Sequence, residues 1–272
     1  MRWSLRLALS ASALTLILLL LVKTKIEDIW DQYSVGDYIK SSWQHSSKSA
    51  KNHDGTPQSN PDDKVIIMAK LEKEDINWVA ENLPDWQTAI YTVNPSSNTS
   101  VGLTTPMNKG HEAMAYLSYI IDNYDTLPST LAFIHSHRNG FLAAWHTDTP
   151  YHDNVDALRT LQLPYVQENG YVNLRCNWNP GCLEAHRDNA HVTADVWHDV
   201  FEGTSTEDSQ FTGQVGAGCC AQFAVSRDQV RKRPLDDYKH FRDWIVDTEK
   251  SDAKSGRVME FLWHVIFGKE SV

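Results

Sequence analysis

Residues 64–93 read KVIIMAKLEKEDINWVAENLPDWQTAIYTV. Val65–Ala69 is an unbroken apolar run of the kind a strand buried on both faces requires. Glu74 to Leu83 then places Ile76, Val79, Ala80 and Leu83 at helical spacing, and Thr88 to Val93 is a second strand. Strand, helix and strand this close together predict a βαβ unit, hence a parallel sheet.

The pattern continues downstream. Glu112 to Tyr124 puts Met114, Leu117, Ile120 and Ile121 on one helical face. Leu127-Pro128 ends that helix, and Leu131–Ile134 is a third strand running into His135-Ser136-His137. Short strands are expected at Val172–Arg175 and Cys220–Val225. Helices are expected at Val192–Phe201, Asp237–Thr248 and Val258–Phe267, the last two with Trp244 and Trp263 facing inward. No internal repeat appears. The fold class that results is α/β, with a single mixed, mostly parallel sheet and flanking helices.

Upstream the composition changes. Residues 24–63 are polar and rich in Ser, Asn and Pro, which reads as a stalk, leaving 64–272 as one domain. Leu7 to Val22 is apolar throughout and, as a helix, covers roughly 24 Å. A cleaved signal peptide competes with an uncleaved anchor. The small-residue site Ser10-Ala11-Ser12 lies inside the run and precedes the Leu-rich part, which favours an anchor over residues 1–23. Arg2 and Arg6 ahead of that run direct the domain into a secretory lumen, making this a single-pass protein of the ER or Golgi.

Asn98-Thr99-Ser100 is a glycosylation sequon consistent with such a location. There, Cys176, Cys182, Cys219 and Cys220 form an even set capable of two disulfides, with crossed pairs expected over a bridge between the adjacent Cys219 and Cys220. Twenty-five Lys and Arg against 35 Asp and Glu give a net charge of −10, which argues against nucleic acid as a partner.

Twelve His is a high number, and most lie between His111 and His198. Residues i and i+2 of a strand share a face, so His135 and His137 are expected to meet one metal ion at the strand's C-terminal end. His146 and Asp148 follow, then His152 and Asp153. Imidazoles with a carboxylate suit Zn, Fe, Cu or Ni. Lys109 beside Gly110 at a helix start is a candidate anion contact, as are Arg138, Arg175 and Arg227. Walker, G-x-G-x-x-G, G-x-S-x-G and H-E-x-x-H motifs are all missing from the sequence.

The strings GHEAMAYLSYIIDNYDTLP, FIHSHR, AAWHTDTPYHDN, LRCNWNPGC, CCAQFAVSRDQV, RPLDDY and SGRVMEFLWHVIFG together resemble a fungal family described as domain of unknown function 3431. The similarity spans roughly Lys64 to Lys269. That family in turn weakly resembles glycosyltransferases of the GT-A fold, in which a βαβ start binds a nucleotide sugar and a strand ends in a D-x-D that holds Mn²⁺ or Mg²⁺.

This resemblance implies that His135 and His137 occupy the two Asp positions. It also implies that Asp148 or Asp153 supplies the carboxylate, as metal ligand or as base toward the acceptor hydroxyl, and that His264 is a late ligand. Three functions follow as expectations. The first is Mn-dependent transfer from a nucleotide sugar to an acceptor. The second is a tailoring enzyme of fungal secondary metabolism holding Cu, Fe or Zn through histidines, and the third is a non-enzymatic anchored scaffold.

Overall fold

A computed structural model describes residues 14–24, 63–96, 102–140, 143–175, 191–205, 211 and 213–272. Met1–Ala50 and Lys51–Val272 are separate compact units. In the first, residues 14–24 are helical with exposed apolar side chains. Among the described residues, no helix is long and apolar enough to cross a membrane. Asn98, Cys176 and Cys182 lie outside the described residues.

The second unit is built on one six-stranded sheet. Its strands are β1 (Lys64–Lys70), β2 (Gln87–Thr92), β3 (Leu103–Thr104), β4 (Thr130–Phe133), β5 (Tyr171–Asn173) and β6 (Phe223–Ser226), in the order β3-β2-β1-β4-β6-β5. Parallel pairing joins β1 to β2 and β4, and β2 to β3, whereas β6 runs antiparallel to both β4 and β5. The sheet is therefore mixed, with a parallel half at β1.

Both faces of that half are covered, which is why the strands read as continuous apolar runs. Val65, Ile67, Leu131 and Phe133 enter one core layer, and Ile66, Met68, Ala132 and Ile134 enter the other. The first layer packs on α2 (Glu112–Asn123), α7 (Leu235–Asp247) and α8 (Asp252–Ile266). An aromatic group fills it: Tyr116 lies 4.8 Å from Phe133, and Phe223 lies 5.2 Å from Trp263, between ring centroids. Trp244 packs partly buried against the same layer. The second layer lies under α1 (Asn77–Asn82) and α3 (Asn154–Thr160).

Several elements are shorter than the sequence suggests. Helix α1 starts at Asn77 because the two acids before it bind the loop instead. Glu74 accepts the Leu71 N–H at 2.7 Å and Asp75 accepts the Asn77 N–H at 3.0 Å. Thr193 caps α5 (Ala194–Phe201) by accepting from Val196 N. Helix α4 (Leu163–Asn169) and the single turn of α6 (Arg227–Val230) complete the set.

The cysteine pairing needs correction. Cys219 and Cys220 are disulfide-bonded to each other, not to Cys176 or Cys182. The loop entering β6 accommodates the ring by placing Cys220 at φ 86° and Ala221 at φ 47°, a left-handed backbone that sequence spacing does not reveal.

Candidate functional site

The chain leaves β1 for β2 on one side and returns to β4 on the other, so the order in which strands are added reverses between the parallel neighbours β1 and β4. Open α/β sheets bind ligands in the crevice beyond such strand ends. Here a cavity of about 250 Å³ occupies that place. Its walls come from the loop after β1 (Leu71, Glu74), the end of β2 (Val93), the start of α2 (His111, Glu112), residues 135–137 after β4, and Asp252 at the start of α8.

Three imidazole–carboxylate pairs line this cavity. His135 Nε2 lies 3.6 Å from Glu112 Oε1, His137 Nε2 lies 3.5 Å from Glu74 Oε1, and His111 Nε2 lies 3.3 Å from Asp252 Oδ2. Glu112 occupies the first turn of α2 and Asp252 the first turn of α8, where the helix dipoles favour negative charge. His111 holds a positive φ of 50°, fixed by its own N–H donating to Asp252 Oδ1 at 2.9 Å.

The His135-Ser136-His137 segment is clamped through its backbone. His135 N donates to Gln222 Oε1 at 3.0 Å, Trp78 Nε1 donates to Ser136 O at 3.0 Å, and Asn154 Nδ2 donates to His137 O at 2.8 Å. Ser136 Oγ donates to Glu74 Oε2 at 2.9 Å, tying the pair partner of His137 to the same segment. Behind the clamp, Gln222 Nε2 donates to Thr147 Oγ1 and Thr147 Oγ1 donates to Asn154 Oδ1. With both ends of these side chains bonded, the two imidazoles are presented on a rigid support.

Strand β4 ends at Phe133, so the two-residue alternation that predicts a shared face does not extend to residue 137. His135 stays on the α2 side with Glu112, and His137 turns to Glu74. Among the described residues, the one group of three metal-competent side chains with ligand atoms within 4.8 Å is Cys219, Cys220 and Glu260, outside this cavity.

His146 reaches the back of His135, with ring centroids 4.3 Å apart. It is 6% exposed, and its Nε2 and that of His135 are buried without a hydrogen-bond partner. Burial, reinforced by His135, pushes the His146 imidazole down from 6.5 to about 2, which keeps it neutral.

Other candidates lie elsewhere. His264 is buried in α8 and donates through Nε2 to Ser271 O at 3.2 Å. Asp153 caps α3 by accepting from Val155 N at 2.8 Å and pairs with Arg138 Nε at 3.6 Å, so both are engaged in holding that helix start. Asp148 lies in the electrostatic surroundings of His152 and Arg175. Lys109 donates to Val246 O and Thr248 O, a cation on the C-terminal carbonyls of α7. Arg227 follows β6, whose Ser226 pairs with Thr130 at the start of β4, at the sheet end opposite the cavity.

His111, Glu112, Glu74 and Asp252 are site residues that spacing alone misses, since they come from three separated loops. Gly110-His111-Glu112 at a helix start is the one local signal.

Fold and cavity thus define an α/β protein with a polar crevice at the switch point of its sheet. The chain belongs to the family described as protein of unknown function (DUF3431), whose model matches residues 66–272. No curated protein and no solved structure matches it.

Proposed function

We propose that this chain is a membrane-anchored lumenal enzyme that transfers a glycosyl group from a nucleotide sugar with a divalent cation. The observation that carries this reading is the set of three imidazole–carboxylate pairs around the switch-point cavity. Glu74, Glu112 and Asp252 repel a diphosphate unless a cation offsets their charge, and carboxylate oxygens with imidazole nitrogens suit Mn²⁺. The Nε2 atoms of His135 and His146 are buried without a hydrogen-bond partner, an unmet polar demand that a cation would answer once these rings and Glu112, which do not lie within 4.8 Å of one another as a set, are drawn together. His135, His146 and Glu112 would hold the ion, which would stabilise charge on the leaving diphosphate.

His137 with Glu74 is the base toward the acceptor hydroxyl, the carboxylate orienting the imidazole. This assignment takes that role from Asp148 and Asp153, the latter already used as a cap. Anchoring and lumenal placement rest on the apolar run Leu7–Val22 and the sequon at Asn98.

The test uses the full chain in detergent micelles. Mn²⁺ with the correct nucleotide sugar should raise Tm by about 5 °C or more at saturating ligand. His137→Ala should keep that shift and lose release of nucleoside diphosphate. A panel of nucleotide sugars that leaves Tm unchanged with Mn²⁺ present refutes the reading.

A second reading, a histidine-ligated Cu, Fe or Zn enzyme such as a secondary-metabolism tailoring enzyme, is favoured by the neutral His146 in ring contact with His135. It expects near-stoichiometric metal in the purified protein that disappears in the His135→Ala/His146→Ala double variant. Protein that binds none of these metals, added or copurified, excludes it.

A further inference from the structure

Outside the cavity, two adjacent sulfurs and a carboxylate converge where β6 begins. We propose that Cys219, Cys220 and Glu260 form a redox-gated site for a soft divalent cation, closed as the disulfide and opened by a dithiol reductant.

The two Sγ atoms and a Glu260 oxygen lie within 4.8 Å of one another. Glu260 is already aimed: α8 delivers it, Cys220 N donates to its Oε1 at 2.7 Å, and Arg257 Nη1 bonds both its oxygens at 2.6 and 2.8 Å. Thiolate sulfur with one carboxylate oxygen suits Zn²⁺ or Cd²⁺ rather than Mg²⁺ or Ca²⁺. The site is distinct from the cavity lined by His135 and Glu112.

Two arginines are associated with the Glu260 carboxylate. Arg257 pairs with Glu260, and Arg175, itself buried, lies in the field of that same carboxylate. The Arg175 backbone runs against Gly218, where an added Cβ would sit 3.0 Å from Arg175 O. The backbone favours reversibility. Cys220 and Ala221 occupy left-handed φ values that non-glycine residues adopt at a penalty.

The chemistry balances. A thiolate of the dithiol attacks Cys220 Sγ, the more exposed sulfur residue of the pair at 9% against 2%, and Cys219 leaves as thiolate. The reductant's second thiol attacks its own sulfur in the mixed disulfide and releases Cys220. The reductant departs as a disulfide, two electrons pass to the protein, and two protons follow to give Cys219 and Cys220 thiols. Binding of M²⁺ then displaces those two protons. A low-molecular-weight disulfide reverses the sequence by thiol–disulfide exchange: it accepts the two electrons and leaves as two thiols while Cys219–Cys220 re-forms and the ion is released.

The test is made on the full chain in micelles, with Cd²⁺ as probe. Under native conditions a dithiol should expose both Cys219 and Cys220 to alkylation, read in their own peptide by mass spectrometry and so separately from Cys176 and Cys182. Added Cd²⁺ should protect that peptide from alkylation and give a thiolate–cadmium absorption band. Glu260→Gln, which keeps an oxygen for the Cys220 N–H, should weaken Cd²⁺ by at least about tenfold. Because these readouts use the unmodified cysteines, they do not depend on the folding of a Cys→Ser variant. The proposal is overturned if the pair resists the dithiol until the protein is denatured. Equal alkylation with and without Cd²⁺, or unchanged affinity in Glu260→Gln, overturns it as well.

Discussion

His264 illustrates how one side chain in the site region of the sequence turns out to serve the fold. Its imidazole is buried between α8 and the chain end, donating to Ser271 O, which also accepts the Gly216 N–H at 2.7 Å. Burial holds its pKa below the ordinary 6.5, and the bond to Ser271 offsets only part of this. A group with a depressed folded pKa leaves the unfolded chain binding more protons, so stability rises with pH. The contribution is intact above about 6.5, the unfolded value, and is lost progressively as pH falls toward the depressed folded one. Urea unfolding of the full chain at pH 7 and pH 5 should show a lower midpoint at pH 5. His264→Gln should reduce that difference, and an equal difference in the variant would remove His264 from the acid response.

At the scale of elements, what was legible depends on whether a segment's own residues or its neighbours hold it. β1, β2, β4 and α2 are readable because burial on both sheet faces, or all round the helix from Ala113 to Ile120, writes a continuous pattern into consecutive residues. β3 has two exposed residues, and α6 is a single turn held by the Ser226 cap, so neither carries a pattern of its own. The crevice divides the same way. His135 and His137 are visible as a motif, but Glu112 meets His135 from α2 and Glu74 meets His137 from the loop after β1, while Asp252 of α8 pairs with His111.

The packing of α8 against His111 has a tight point at Gly256, where an added Cβ would lie 2.8 Å from His111 Cγ and 2.9 Å from its Cβ. Alanine gains about 1 kcal/mol of helix propensity there. Overlap with an imidazole whose backbone is pinned by Asp252 outweighs this, since overpacking costs about 1–3 kcal/mol. Gly256→Ala should therefore lower stability by about 1 kcal/mol and move the His111 ring away from Asp252, followed by the His111 proton resonances. A variant as stable as the parent with unshifted His111 signals would show that α8 yields instead.

At the scale of the molecule, the chain comprises two compact units, Met1–Ala50 and Lys51–Val272. The Lys51–Val272 unit contains all six strands, both core layers, the crevice and the Cys219–Cys220 pair, and the family match begins inside its first strand at Ile66. Everything that positions His135 comes from within it: Gln222 on the backbone, Glu112 on the ring and His146 behind. A unit that supplies its own core should fold without the rest of the chain. A fragment of residues 51–272 should melt in one cooperative transition within about 2 °C of the full chain, a difference of under about 1 kcal/mol for this size. The apolar run Leu7–Val22 should matter for a different property. The full chain should sediment with neutral phospholipid vesicles while the fragment stays in solution, because an apolar segment partitions in proportion to the area it buries in lipid. If the fragment sediments equally, membrane contact belongs to the folded domain and the anchoring role of the first residues fails. If instead the fragment melts far below the full chain, the first unit contributes to the domain's stability, and the two cannot be treated as independent.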